Sequence, residues 1–178
     1  VPPARLKVLR LLARPEAPAR ARAVPRSPDT DATRLGKAVH RALEWAAASR
    51  ADALTDLAHA AAAEFDAPAT TVAQLAQTIL QSPDCARFFS GPQLRWAGNE
   101  VPIAEGGEVL RIDRLVQLVD AAGPAWWVLD YKLQHAPHQL DAYRAQLRRY
   151  REAVRRVQPG EAVRCAFLTG AGEVIEID

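Results

Sequence analysis

The chain has no methionine, only two cysteines and only three lysines (Lys7, Lys37 and Lys132). Cys85 and Cys165 cannot supply the full set of thiolates that an iron–sulfur cluster or a zinc ribbon requires. We therefore expect no such cluster, and we expect both thiols to be reduced and buried. No uncharged apolar run approaches the roughly 20 residues that cross a bilayer, and the start of the chain lacks the pattern of a signal peptide. These absences predict a cytoplasmic protein without a membrane partner.

The net charge is small and unevenly distributed. Residues 1–26 carry seven basic side chains against Glu16 alone, a net charge of +6, which leaves −4 for the rest of a chain whose total is +2. A basic surface over the whole domain is therefore absent, and any contact with DNA must be local.

Residues 1–30 are rich in proline, alanine and arginine, and prolines at this density exclude one continuous helix. We interpret the segment as a linker with a cationic face. The alternative is a disordered tether without a binding role. Because the chain does not begin with methionine, we expect the linker to follow a preceding region, and residues 31–178 to form the folded domain, which is large enough for a single core.

Hydrophobic periodicity predicts helices first and strands later. The predicted helices cover 31–49, 52–65, 70–81, 84–89 and 137–157, and the predicted strands cover 94–103, 108–119, 126–133, 163–168 and 173–177. This order is typical of an α/β fold in which a mixed β-sheet carries helices on both sides, after a helical N-terminal part.

An apolar run, Trp126 to Leu129, ends in Asp130-Tyr131-Lys132. Since side chains alternate along a strand, Asp130 and Lys132 point to the same face. Asp113 supplies a second carboxylate from the preceding predicted strand, and the carbonyl of Tyr131 is a further oxygen ligand. Magnesium prefers such oxygens, and the lysine can position an attacking water or stabilise the developing charge of a phosphodiester. The alternative is an ion pair between strands, and the triplet alone does not decide between them.

Two helices carry further candidates. His40 lies in the first helix, where a lone histidine is more often a packing or surface residue than a metal ligand; Glu44, one turn later, is either its hydrogen-bond partner or a solvated charge. In the late helix Tyr143, Gln146 and Tyr150 share one face. Tyrosines at this spacing usually pack in a core, but Gln146 and Tyr150 can instead contact a phosphate or the lysine.

The order Gly-x-x-x-His, Ile-Asp-Arg-Leu, Leu-Asp-Tyr-Lys and Tyr-x-x-Gln-Leu-x-x-Tyr resembles the C-terminal PD-(D/E)xK nuclease domain of the RecB and AddA helicase–nucleases, over roughly residues 35–166. The resemblance implies a restriction-endonuclease-like core and a Mg²⁺-dependent deoxyribonuclease, with Mn²⁺ as a substitute. It also implies a helicase motor in the same chain, a partner subunit, and action on DNA ends in recombinational repair.

The same resemblance implies the site residues. The implied metal ligands are His40, Asp113, Asp130 and the carbonyl of Tyr131; the implied catalytic lysine is Lys132, with Gln146 and Tyr150 as its supporting pair and Glu100 as an additional acid. Leu133 departs from the family, because many members have a hydroxyl residue after the lysine.

Two functions of different classes follow. The first is an active, metal-dependent nuclease, indicated by the ligand set. The second is a catalytically inactive nuclease-like fold that serves as a DNA-binding or docking module, indicated by the small net charge and Leu133. A stand-alone exonuclease of the same superfamily agrees less well with the proline-rich, methionine-less start.

Overall fold

The computed structural model describes residues 30–47 and 53–178, so the predicted linker lies outside the described residues except for Thr30. The helices are α1 (Asp31–Ala47), α2 (Leu54–Phe65), α3 (Ala69–Gln81), α4 (Pro83–Ala86) and α5 (Asp141–Val157). The strands are β1 (Leu94–Glu105), β2 (Glu108–Asp120), β3 (Gly123–Lys132), β4 (Ala162–Thr169) and β5 (Val174–Ile177). In the described part of the chain, no helix has the length and apolar content of a membrane span.

The five strands form one mixed sheet in the order β1-β2-β3-β4-β5. The first three strands are an antiparallel meander, β4 lies parallel to β3, and β5 returns antiparallel to β4. Helix α5 connects the two parallel strands, as a crossover must. The predicted α/β fold with a mixed sheet is thereby confirmed.

Two apolar clusters cover the two faces of the sheet. The first joins helices α1 to α4 to one face and includes Val39, Leu43, Val116 and Leu129. The second joins α5 to the other face and includes Leu147, Val154 and Phe167. Each face of the sheet is thus covered by helices.

The structure corrects the start of the late helix. A continuous helix was predicted over 137–157, but residues Pro137–Gln139 form a 3₁₀ turn and Leu140 is extended, with φ −91° and ψ 113°. Helix α5 therefore begins at Asp141. The guanidinium of Arg144 stabilises the break, because it donates a hydrogen bond to the carbonyl of His138 (2.7 Å) and pairs with Asp141.

Candidate metal centre and active site

The candidate site lies where β2 and β3 separate. Their paired residues end at Arg114 opposite Leu129. Beyond that point the carboxylate of Asp113 accepts a hydrogen bond from the backbone N–H of Tyr131 (3.1 Å). Asp113 thus accepts the hydrogen bond of a backbone N–H that has no backbone partner on β2. Because the strands separate here, the side chain of Asp113 lies beside Asp130.

A backbone irregularity in β1 brings a second acid to this place. Glu100 has φ +51°, a left-handed conformation that costs a non-glycine residue about 1–3 kcal/mol. As a result, two consecutive side chains contact the same helix: Asn99 donates to the carbonyl of Glu44 (3.1 Å), and Glu100 reaches His40. Regular alternation would send only one of them there. The strain places Glu100 in the site.

His40 from α1 is the centre of the cluster. Its Nε2 lies 2.8 Å from Glu100 Oε1 and 3.9 Å from Asp113 Oδ1. Burial lowers the pKa of His40 despite the opposing charge of Glu100, so the imidazole is neutral near pH 7 and has a lone pair to donate. One donor atom from each of these three residues lies within 4.8 Å of the others.

Asp130 is the most buried acid of the site. Only 3 % of the residue is exposed, and Oδ1 accepts a hydrogen bond from Lys132 Nζ (2.8 Å). Its other oxygen, Oδ2, is buried and receives no hydrogen bond from the described residues. Burial, followed by the neighbouring charge of Asp113, raises the pKa of Asp130 to about 7. This carboxyl group is therefore shared between a cation, Lys132, and a second acid, Asp113.

Lys132 is held from two directions. Burial works against its charge, but the carboxylate of Asp130 outweighs that effect and raises the pKa of Lys132, so the amine is protonated. Its Nζ also lies 4.8 Å from the centre of the Tyr143 ring, in a cation–π contact. Gln134 donates a hydrogen bond to the hydroxyl of Tyr143 (3.3 Å). The ammonium group is thus fixed between an acid and an aromatic face.

Other predicted residues contact different partners. Gln146 is exposed and donates to the hydroxyl of Tyr150 (2.8 Å), but it is Tyr143 that contacts Lys132. The carboxylate of Glu44 accepts a hydrogen bond from Arg41 (2.6 Å), and the carboxylate that approaches His40 Nε2 is that of Glu100 (2.8 Å).

The donor set fits a hard divalent cation. His40, Glu100 and Asp113 offer two carboxylates and one neutral imidazole, and Asp130, which lies against Asp113, adds a further carboxylate beside this group. Mg²⁺ and Mn²⁺ favour such oxygen-rich sites, and imidazole is an accepted ligand of first-row metals. The two cysteines are buried in different clusters on opposite faces of the sheet.

Two residues of the quoted motifs support the site, although no role in it was predicted for either. Tyr143, the first tyrosine of Tyr-x-x-Gln-Leu-x-x-Tyr, contacts Lys132. Arg114 is 2 % exposed and donates twice to the carbonyl of Phe88 (3.0 and 2.9 Å) and once to Asn99 (2.5 Å). This buried arginine, next to Asp113 in the sequence, ties β2 to the segment after α4.

A pocket of about 260 Å³ opens beside the cluster. It is lined by Lys37, His40, Arg41, Glu44, Phe65, Glu100 and Arg111. Since His40 and Glu100 belong to both the pocket wall and the candidate metal ligands, the two features are continuous.

Comparison with protein families agrees with this geometry. The model of the PD-(D/E)XK nuclease superfamily matches residues 7–175, nearly the whole chain. No curated protein gives a significant match. Nucleases of this superfamily use divalent metals, as the candidate ligands here allow. The matched length and the mixed sheet with flanking helices together show that the chain belongs to the PD-(D/E)XK nuclease superfamily.

Proposed function

We propose that this chain is a divalent-metal-dependent deoxyribonuclease domain that hydrolyses phosphodiester bonds where β2 and β3 separate. The observation that carries the proposal is the meeting of His40, Glu100 and Asp113 beside the buried Asp130–Lys132 pair. An ion pair of purely structural value needs neither an unpartnered carboxylate oxygen nor a neutral histidine beside it.

The residues have separable tasks in this proposal. His40, Glu100 and Asp113 would hold Mg²⁺ or Mn²⁺, with Asp130 as a further oxygen donor. The bound ion would polarise the scissile phosphate and lower the pKa of a water molecule. Lys132, kept protonated by Asp130 and oriented by Tyr143, would position that water or donate to the phosphate oxygen on which charge develops.

The finer assignment is a nuclease domain of the RecB and AddA type. It is supported by the ordered motifs from Gly36 to Tyr150. On this assignment the domain works in the cytoplasm on strands delivered from DNA ends, beside a helicase motor and a partner subunit, in recombinational repair. Sequencing the gene on both sides of the region that encodes residues 1–178 tests this assignment, because the assignment requires helicase motifs in the same reading frame.

Degradation of linear DNA with Mg²⁺ or Mn²⁺ tests the activity itself. We expect the parent chain to degrade DNA, and Asp130→Asn and Lys132→Ala to lose at least about 100-fold in rate, as when a positioned charge is removed from a transition state. Glu176→Gln is the matched control, because Glu176 forms a short ion pair with Arg164 (2.5 Å) on β4 and β5. Equal rates in all four proteins would refute the site.

The second candidate, a nuclease-like fold that only binds or docks, is favoured by Leu133, which packs against the first apolar cluster instead of presenting a hydroxyl group. Titration calorimetry with Mn²⁺ separates the two. Metal binding that disappears in the Asp113→Asn protein supports the nuclease; DNA binding without any metal binding supports the docking role.

A further inference from the structure

The pocket beside the metal cluster has a fixed wall and a charged rim. The wall is formed by Arg41, which donates to Glu44 (2.6 Å) and Glu64 (3.3 Å) and lies 5.8 and 6.0 Å from the rings of Trp45 and Phe65. Two carboxylates compensate the charge of Arg41. We therefore assign this guanidinium to the shape of the pocket and not to the binding of an anion.

The rim carries the cations that face the opening. Arg111, on β2, is 67 % exposed, and its Nη1 reaches Glu100 Oε2 at 3.4 Å, the long end of the hydrogen-bonding range. Lys37 is exposed and precedes Arg41 by one helical turn on α1, so both line the same side of the pocket. The cationic side chains thus approach the pocket from a helix and from a strand.

Glu100 connects this rim to the metal cluster. One of its oxygens contacts His40 and the other contacts Arg111. A cation held by Glu100 would neutralise the negative charge that Arg111 now faces. The guanidinium would then have a stronger preference for another anion at the pocket mouth. The geometry predicts that metal and anion binding support each other.

The pocket is large enough for more than an inorganic anion. A volume of about 260 Å³ equals about nine water molecules at their share of liquid volume. This volume is larger than a metal ion with its first shell of water molecules requires. It is sufficient for a phosphate group together with its sugar. Phe65 adds an apolar surface against which the sugar or a base can pack.

We infer that this pocket binds the sugar–phosphate unit of the nucleotide adjacent to the scissile phosphate of a DNA strand, with Lys37 and Arg111 as its phosphate contacts. The inference rests on the proposed nuclease function, since it assigns one part of the substrate to a place beside the cleavage site. It adds two residues that contact substrate without holding the metal.

Fluorescence anisotropy with a labelled single-stranded DNA tests the inference on the full 178-residue chain. The assay uses Ca²⁺, which shares the oxygen preference of Mg²⁺, and a range of salt concentrations. For Lys37→Gln combined with Arg111→Gln we expect about 5- to 20-fold weaker binding. We also expect the slope of log K against log salt to fall by about 1.4, or about 0.7 for each lost phosphate contact.

Arg156→Gln is the matched control, because Arg156 is similarly exposed (65 %) and pairs with one glutamate, but lies on α5 across the sheet. The Arg156→Gln protein should bind DNA with the affinity and salt slope of the parent. Arg111→Lys, which keeps the positive charge, should retain most of the parent's salt slope. The basic residues 1–26 are present in every variant, so their contribution cancels. The loss of DNA affinity caused by Arg111→Gln should be larger with Ca²⁺ than with EDTA, because a cation bound by Glu100 frees Arg111 for the phosphate.

The outcomes separate this inference from the nuclease proposal. Unchanged affinity and slope in the double variant, or no DNA binding by the parent, overturns the pocket assignment whether or not the parent cleaves DNA with Mn²⁺. Loss of affinity and slope in the double variant alone supports the pocket. If the parent then shows no cleavage with Mn²⁺, the catalytic proposal fails while the binding pocket stands.

Discussion

Strand β1 carries two glutamates, Glu100 and Glu105, whose surroundings differ in kind. At the hairpin end, Glu105 accepts hydrogen bonds from Arg149 (2.5 Å) and Arg156 (2.8 Å), and Arg149 also pairs with Glu108 (2.6 Å). The hydrogen bond from Arg149 is the main reason that the pKa of Glu105 is lowered. Every charge of this cluster has an opposite partner, and both arginines and Glu108 are open to solvent.

Five residues earlier on the same strand, Glu100 is shared between a neutral histidine and a distant arginine, and its own backbone is strained. Behind it lies Asp130, with a raised pKa and an oxygen without a hydrogen bond in the described residues. Acids and bases are again close together, but burial opposes their charges and the pairing is incomplete.

The contrast teaches how to tell a structural ion cluster from a functional one. The Glu105–Arg149 pair is fully satisfied, and water reaches its half-exposed arginine, so the pair contributes little to stability. A buried carboxylate without its full set of partners is destabilising in the isolated chain, and perturbed pKa values of this type concentrate at functional sites. In this chain the unsatisfied cluster, and not the larger number of salt bridges, marks the site.

The two glutamates of β1 provide the strongest test of this contrast. Glu100→Gln should reduce the rate of metal-dependent DNA cleavage by about 100-fold or more, since it removes a metal-binding charge. Glu105→Gln should change the rate less than about twofold, because it weakens only the ion pairs with Arg149 and Arg156, away from the site. Initial rates with Mn²⁺ measure both. A similar loss in the two variants would abolish the distinction between the clusters.

Metal affinity provides the next largest effect. His40→Ala should weaken Mn²⁺ binding about tenfold or more in titration calorimetry. Arg149→Gln, which removes a partner of Glu105 and Glu108, should leave Mn²⁺ binding unchanged. In the parent, affinity should rise as pH increases from about 6 to about 8, because Asp130 must lose a proton near pH 7 before it can act as a ligand. A flat pH dependence would show that Asp130 does not take part.

The sequence allowed most of the fold to be predicted, because long periodic segments determine helices and strands wherever one face is apolar. The break at Leu140 could not be foreseen, since it depends on a side chain, Arg144, that bonds to the backbone of the preceding turn. Local hydrogen bonds of this type leave no mark on hydrophobic periodicity. The predicted boundaries were therefore less accurate than the predicted elements.

The candidate site was predictable to the extent that it depends on motifs. His40, Asp113, Asp130 and Lys132 come together near one strand edge, although their assigned roles stay predictions. The place of Glu100 depends on a left-handed backbone conformation that alternation excludes, and the contact of Tyr143 with Lys132 depends on how α5 crosses β3. Both are tertiary features, so the family resemblance implied Glu100 only as an additional acid, and helical spacing predicted Tyr143 only as a packing residue.

The pH dependence of stability tests the burial of Asp130 directly. Its pKa near 7 in the folded chain exceeds its ordinary value near 4, so the stability due to this proton is lost as pH rises between about 4 and about 7. The Asp130→Asn protein has no carboxyl group at this position, so it does not lose this stability as pH rises. In EDTA, its free energy of unfolding relative to the parent should therefore improve by about 1–3 kcal/mol between about pH 5 and pH 8. Urea denaturation at the two pH values measures the change.

Glu105→Gln is the control for this experiment, and it has the opposite sign. The pKa of Glu105 is lowered, so its ion pairs stabilise the fold above its ordinary pKa and lose that effect only in acid. Between about pH 5 and pH 8 the difference from the parent should stay constant. If Asp130→Asn also shows a constant difference, the carboxyl group is charged throughout this range and the site is less desolvated than its burial indicates.

The smallest expected effect concerns the aromatic support of the lysine. Tyr143→Leu removes the ring beneath Lys132 Nζ and should lower the maximal cleavage rate about 3- to 10-fold, while the DNA concentration at half-maximal rate stays nearly constant. Tyr143→Phe retains the ring, loses only the hydrogen bond from Gln134, and should recover most of the rate. Tyr150→Phe, which loses the bond from Gln146 on the same helix, is the matched control. If Tyr150→Phe reduces the rate more than Tyr143→Leu, the helix supports the site through the Gln146–Tyr150 pair, and the position of Lys132 depends chiefly on Asp130.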